Sequence, residues 1–130
     1  LAAGGASVIG SYRVAAATGF AGDRYEPARI LAERSGPDAL VFECLAERTI
    51  ALAQAERMTG RSDGYDRRLL DRIRQTLPVV AAADGVIISN GGAANPRAAA
   101  AAAAELTAEL GLACPVAAVT GDDVLERIDR

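Results

Sequence analysis

Two short apolar runs, Ala39-Leu40-Val41-Phe42 and Val86-Ile87-Ile88-Ser89, constrain the fold of this chain more than any other feature. Neither run alternates polar with apolar residues, as a strand with one face in water does. Each passes directly into polar or glycine-rich residues and then into a helix-forming stretch. Continuous runs of this kind are characteristic of strands buried on both faces of a parallel sheet. Two further segments fit the same role: Tyr12 to Ala17, which ends in the turn-permitting Thr18-Gly19-Phe20-Ala21-Gly22, and Val116-Ala117-Ala118-Val119.

The intervals between the runs read as helices. Asp23 and Pro27 open the first, Ile30 and Leu31 point inward from it, and Gly36-Pro37 ends it. A second centres on Ile50 to Arg57, with Leu45, Leu52 and Met58 marking an apolar side. Beyond the polar break Gly60 to Gly64, Tyr65 to Leu77 carries Leu69, Leu70, Ile73 and Leu77 on one stripe. Its remaining face, with Arg67, Arg68, Arg72 and Arg74 among Asp66 and Asp71, reads as solvated rather than as an anion site. Asn95 as N-cap and Pro96 at the first position start an alanine-rich helix that stops at Gly111. Thr120-Gly121-Asp122-Asp123 reads as the start of one more, and Leu1 to Ser11 shows no period that assigns it. The alternation implies an α/β fold, a parallel sheet of about four strands with right-handed crossover helices, either Rossmann-like or part of a larger α/β fold.

Composition sets the remaining bounds. With 130 residues and 51% hydrophobic content, the chain is expected to form a single α/β domain over residues 1–130. Much of that content is alanine, but Leu, Ile, Val and Phe still make up about 23% of residues, enough for a modest core. The chain begins at Leu1 without methionine and stops soon after a helix start, so it is expected to be an N-terminal piece of a longer protein. It contains no histidine, and all 14 basic residues are arginine. A histidine triad, a histidine zinc site, a Walker lysine and a Schiff-base lysine are therefore excluded within it. A net charge of −3 has the wrong sign for counterion-release binding to nucleic acid. Cys44 and Cys114 lie outside any CxxC spacing and read as reduced thiols. No apolar run approaches the length of a membrane span and no signal-peptide order is present, so a cytoplasmic location is expected, with no membrane partner.

Ligands of open parallel sheets bind beyond the carboxyl ends of the strands. Four clusters fall there: Gly19, Gly22, Asp23 and Arg24; Glu43, Glu47 and Arg48; Asn90, Gly92 and Asn95; and Thr120, Asp122 and Asp123. Each has a structural reading as turn, cap or charge pair. Glu43 stands apart, because a carboxylate following Val41-Phe42 is expected at the rim of a buried sheet, with its pKa raised unless Arg24 or Arg48 holds it ionised.

The blocks Gly19-Phe20-Ala21-Gly22-Asp23-Arg24, Leu40 to Thr49, the Asn-x-Gly-x-x-Asn-Pro pattern at Asn90, Gly92, Asn95 and Pro96, and Val119-Thr120-Gly121-Asp122-Asp123-Val124 occur in one order from Gly19 to Val124. Together they resemble the N-terminal domain of the acyclic terpene utilisation AtuA family. The second block is the most specific. Two features depart from the family pattern: Ala15-Ala16-Ala17-Thr18 stands where another glycine is expected, and Leu1 to Ser11 has no match. The resemblance implies a bacterial cytoplasmic protein in catabolism of acyclic terpenes such as citronellol and geraniol, which runs through CoA thioesters. It implies no particular reaction and no particular cofactor.

The first functional reading is a ligand-binding domain for a small molecule, with a CoA thioester as the partner implied by the resemblance. In it Gly19, Gly22, Asp23 and the Asn90, Gly92, Asn95 loop approach the ligand together with Asp122, Arg24 or Arg48 holds an anion, and Glu43 or Glu47 is the general base. The alternative is a non-catalytic assembly or regulatory module, as a homo-oligomer or docked on the remainder of the protein. A metal-dependent hydrolase using Glu43, Asp122 and Asp123 ranks last for want of histidine, and no metal ligand is assigned.

Overall fold

The computed structural model describes residues 10–128. In chain order the elements are β1 (Val14–Thr18), α1 (Glu26–Ser35), β2 (Ala39–Phe42), α2 (Glu47–Met58), α3 (Leu69–Ala82), β3 (Val86–Ser89), α4 (Pro96–Glu109) and a 3-10 turn at Leu125–Arg127. The expectations for Leu1 to Ile9 lie outside the described residues.

The three strands form one open sheet in the order β1-β2-β3, all parallel, with Leu40 beside Ala15 on one side and Ile87 on the other. Local signals set the helix ends. Pro27 lies in the first turn of α1, and the helix closes where the Gly36 N–H bonds to the Ala32 carbonyl. Thr49 Oγ1 accepts from the Ala46 N–H at 2.7 Å and so starts α2. Asn95 Oδ1 accepts from the Ala98 N–H at 3.2 Å and so starts α4. Helix α3 begins four residues later than expected, because Asp66 is held in a turn: its N–H bonds to the Gly91 carbonyl, and its Oδ1 accepts from the Arg68 N–H. It then continues through Pro78 to Ala82.

The helices that bury residues stack on one face of the sheet, α1 on β1 and α3, and α3 on β3 and α4. Ala15, Ala28, Ala32, Leu40, Phe42 and Val80 form the core beneath α1, and Leu69, Ile73, Leu77, Ala99, Ala103 and Leu106 form the core between α3 and α4. In α1 the inward positions belong to Ala28 and Ala32, not to Ile30 and Leu31, which are half-buried. Small side chains let that helix approach the alanine-rich β1 closely.

Four expectations are corrected. The apolar side of the second helix is not a core side: α2 buries no residue, and Leu52 and Met58 are exposed. Arg72 does not belong to a solvated face, being 1% exposed. Residues 113–124 carry no regular structure, so Val116 to Val119 is not a strand and the last helix shrinks to the 3-10 turn. β3 is an edge strand, and Val86 and Ile88 are about half exposed instead of buried, because among the described residues no helix packs on that face of the sheet. Alternation puts Val14 and Ala16 on the same uncovered face, and both are exposed.

Candidate functional site

Parallel pairing brings the ends of β1, β2 and β3 to one edge, and hydrogen bonds lock the loops that leave it. Asn90 joins two of them: its Oδ1 accepts from the Cys44 N–H at 2.6 Å, and its Nδ2 donates to Glu43 Oε1 at 3.0 Å. The Leu45 N–H donates to the same carboxylate oxygen at 3.0 Å, and the Thr18 hydroxyl donates to the Glu43 carbonyl at 2.7 Å. Glu43 is exposed rather than desolvated, and neither Arg24 nor Arg48 forms an ion pair among the described residues. The Asn90 amide, then the Leu45 N–H, hold its pKa below the ordinary 4.5. This reverses the expected direction, because donated hydrogen bonds outweigh the slight burial.

The sign of the resulting pH dependence follows from linkage. A carboxyl group with a depressed folded pKa adds stability above its unfolded pKa and loses it as pH falls through the folded value. Replacing Asn90→Ala is therefore expected to move the Glu43 carboxyl titration, followed by carbon NMR, up toward 4.5. An unmoved titration would remove Asn90 as the cause.

Beneath this edge lies a buried polar junction that the sequence did not disclose. The Arg72 guanidinium pairs with Asp66, donates to the Ala21 carbonyl at 2.5 Å and lies 5.8 Å from the centre of the Tyr25 ring. Since the Asp66 N–H also bonds to the Gly91 carbonyl at 2.8 Å, Arg72 ties α3 to the loops after β1 and β3. Cys44 sits close by, buried, with its thiol 3.6 Å from Thr18 Oγ1, and burial pushes its pKa up.

The loop after β1 is closed on itself. Asp23 Oδ2 accepts from the Gly19 N–H at 2.7 Å, the Asp23 N–H bonds to the Phe20 carbonyl, and Arg68 donates to the Gly22 carbonyl at 2.8 Å. A Cβ at Gly22 would strike the Phe20 ring at 2.2 Å, and one at Gly92 would meet Pro96 at 2.9 Å. Gly22 thus makes room for the Phe20 ring, and Gly92 for the backbone and ring of Pro96.

An open cleft of about 370 Å³ lies beside these loops, between α2, the loop after β3 and residues 120–128. Ile50, Ala93, Pro96, Val124, Leu125 and Ile128 supply its apolar wall, and Arg57, Arg97, Asp122 and Asp123 its charges. Arg57 spans the cleft, donating to the Ala94 carbonyl at 2.6 Å and lying 3.7 Å from Asp123. Ala93 holds a positive φ of 44°, a conformation that strains a residue with a Cβ. Ala93→Gly is expected to raise stability by up to ~1 kcal/mol in urea denaturation, and a loss of stability would show that the methyl packs usefully.

Of the residues singled out in the sequence, Asn95, Pro96, Thr120, Asp122 and Asp123 line the cleft. Asn95 also donates to the Asp63 carbonyl at 2.8 Å. Gly19, Gly22, Asp23, Arg24, Glu43, Glu47, Arg48, Asn90 and Gly92 do not line it. Glu43 is therefore not brought together with Asp122 and Asp123, as a shared metal would require, and no group of three potential ligands is found among the described residues. Arg57, Arg97 and Ile50 went unnoticed because nothing in their local pattern distinguishes a cleft wall from a solvated helix face. No helix among the described residues is long and apolar enough to cross a membrane. The family model described as acyclic terpene utilisation family protein AtuA matches residues 12–130. No curated protein and no solved structure matches the chain.

Proposed function

The chain belongs to the acyclic terpene utilisation AtuA family, and from that premise we propose that it is a ligand-binding domain in acyclic terpene catabolism, which receives the apolar chain of a terpenoid or of its acyl-CoA-type intermediate. The observation that carries this reading is the open cleft of about 370 Å³ beside the loop that follows β3 at the carboxyl edge of a parallel sheet, lined by both apolar and charged side chains. Glu43 and Glu47 stand outside it and take no part in holding the chain. The free thiols Cys44 and Cys114 support action in the reducing cytoplasm.

The test is a thermal melt with citronellol, geraniol, citronellyl-CoA, free CoA and magnesium. A ligand at about a hundred times its Kd adds roughly 2.7 kcal/mol, a shift of several degrees for a domain near this size. A shift with a terpenoid or its thioester, and none with free CoA, is the expected result. A melt that no compound moves sinks the reading.

A second reading, an assembly module of the same pathway, is favoured by the uncovered face bearing Val14, Ala16, Val86 and Ile88. Parallel sheets are ordinarily covered on both faces. If that face joins copies of the chain, sedimentation will show concentration-dependent association, and Val86→Lys with Ile88→Lys will abolish it. A monomer at all concentrations excludes self-assembly.

A further inference from the structure

Sheet edges in soluble proteins are ordinarily blunted by a charge, a proline or a bulge. The outer strand β1 has a bulge between Ala16 and Thr18, but β3, Val86-Ile87-Ile88-Ser89, has none of the three. Val86 and Asn90 give their N–H groups inward, to the Asp38 and Phe42 carbonyls, so Ile87 and Ser89 direct theirs to the open side. Among the described residues no backbone hydrogen bond joins β3 to residues 113–124. Yet the chain returns along that same side. Leu112 and Cys114 pack against the core between α3 and α4, as Ile87 does, and Ala113 between them is exposed. At the far end, Thr120 to Asp123 line the cleft with Ala93, Ala94 and Asn95 of the loop after β3. Val116-Ala117-Ala118-Val119 therefore runs the length of β3 in the same direction, unpaired, with Val119 93% exposed. Because α4 packs on α3, a strand placed there completes a right-handed crossover.

We infer that Val116 to Val119 is a strap with two positions: unpaired, as in this structure, and docked on the open edge of β3 as a fourth parallel strand, where it fixes the Thr120 to Asp123 wall of the cleft. Docking buries two exposed valines and pairs backbone groups of both segments, against the entropy of ordering four residues. The alternation begun by Leu112 and Cys114 assigns the faces of the docked strand. Val116 and Ala118 turn toward the helices, and Ala117 and Val119 join Val86 and Ile88 on the uncovered face. The strap is independent of what the cleft binds.

Disulfide trapping in the full chain tests this, in a Cys114→Ser background that leaves only the buried Cys44. Ile88→Cys is combined in turn with Ala117→Cys, Ala118→Cys and Val119→Cys, and each variant is oxidised at low protein concentration. All four positions are exposed, so melts of the reduced variants serve as the fold control. A bond within the monomer is expected to form at least about tenfold faster from position 117 or 119 than from 118, because a disulfide needs short Cα separation and a shared face. Closing it is expected to slow amide exchange severalfold at Leu125, whose N–H bonds to Asp123 Oδ1, and reductant is expected to restore the rate. Equal rates at the three positions, or no bond within the monomer at any of them, overturns the strap. Bonds between chains instead would assign the β3 edge to a second copy and overturn it equally. An unchanged Leu125 rate in the closed form overturns the link to the cleft wall.

Discussion

Arg72→Met is expected to destabilise the protein by about 3–5 kcal/mol in urea denaturation, among the largest effects of any single substitution. The guanidinium is fully buried, and Asp66, its ion-pair partner, is 14% exposed at the side chain. Methionine restores much of the packing but leaves a nearly buried carboxylate and the Ala21 carbonyl without their donor. One term acts in the opposite direction: Arg72 Nε is buried without an acceptor among the described residues, so the substitution also removes a buried unpaired donor. The decisive comparison is therefore Arg72→Met with and without Asp66→Asn. The second change removes the stranded charge and keeps the oxygen that accepts from the Arg68 N–H, so it is expected to recover part of the loss. A cost below about 1 kcal/mol for Arg72→Met would show that the junction is incidental to stability.

Phe42→Ala is expected to cost about 3–5 kcal/mol, against a total stability of about 5–15 kcal/mol for an ordinary domain. Phe42 is 0% exposed, and the other phenylalanine, Phe20, is largely exposed. Around Phe42 the core is built of small residues, Ala15, Ala28 and Ala32 among them, which offer little volume to collapse into the space the ring leaves. A Phe42→Leu variant is expected to recover more than half of the loss. Equal melting temperatures for Phe42→Ala and the native chain would mean that the strand end repacks freely. Because Glu43 and Cys44 follow directly, both readouts also report on the site: a softened β2 end is expected to release the Asn90 bonds to Cys44 and Glu43.

These two residues mark the difference between what local pattern discloses and what it does not. Phe42 is readable as core because a continuous four-residue apolar run bounded by turn signals is the pattern of a buried strand. Arg72 is not, because an arginine among Asp66, Arg68, Asp71 and Arg74 has the pattern of a solvated face. Its burial comes from the Ala21 carbonyl, fifty-one positions away in the chain, which no window of sequence contains. The same limit applies at the site. The cap at Asn95 and Pro96 was visible because capping is a short-range hydrogen bond. The raised pKa expected of Glu43 is reversed, because the side chain is exposed and Asn90, forty-seven residues on, donates to its carboxylate.

The sequence by itself determined the α/β class, the positions of β2 and β3, the carboxyl-edge clustering of polar residues, the family resemblance, and the exclusion of histidine and lysine chemistry. These follow from residue type, local periodicity and covalent neighbours. Only the tertiary structure decided that residues 113–124 leave β3 as an edge, that α2 buries nothing, that Arg72 is the junction of three segments, and that Arg57, Arg97 and Asp122 share a cleft. Each of those depends on contacts between residues far apart in the chain, whose free energies are settled by packing and by competition for hydrogen-bond partners.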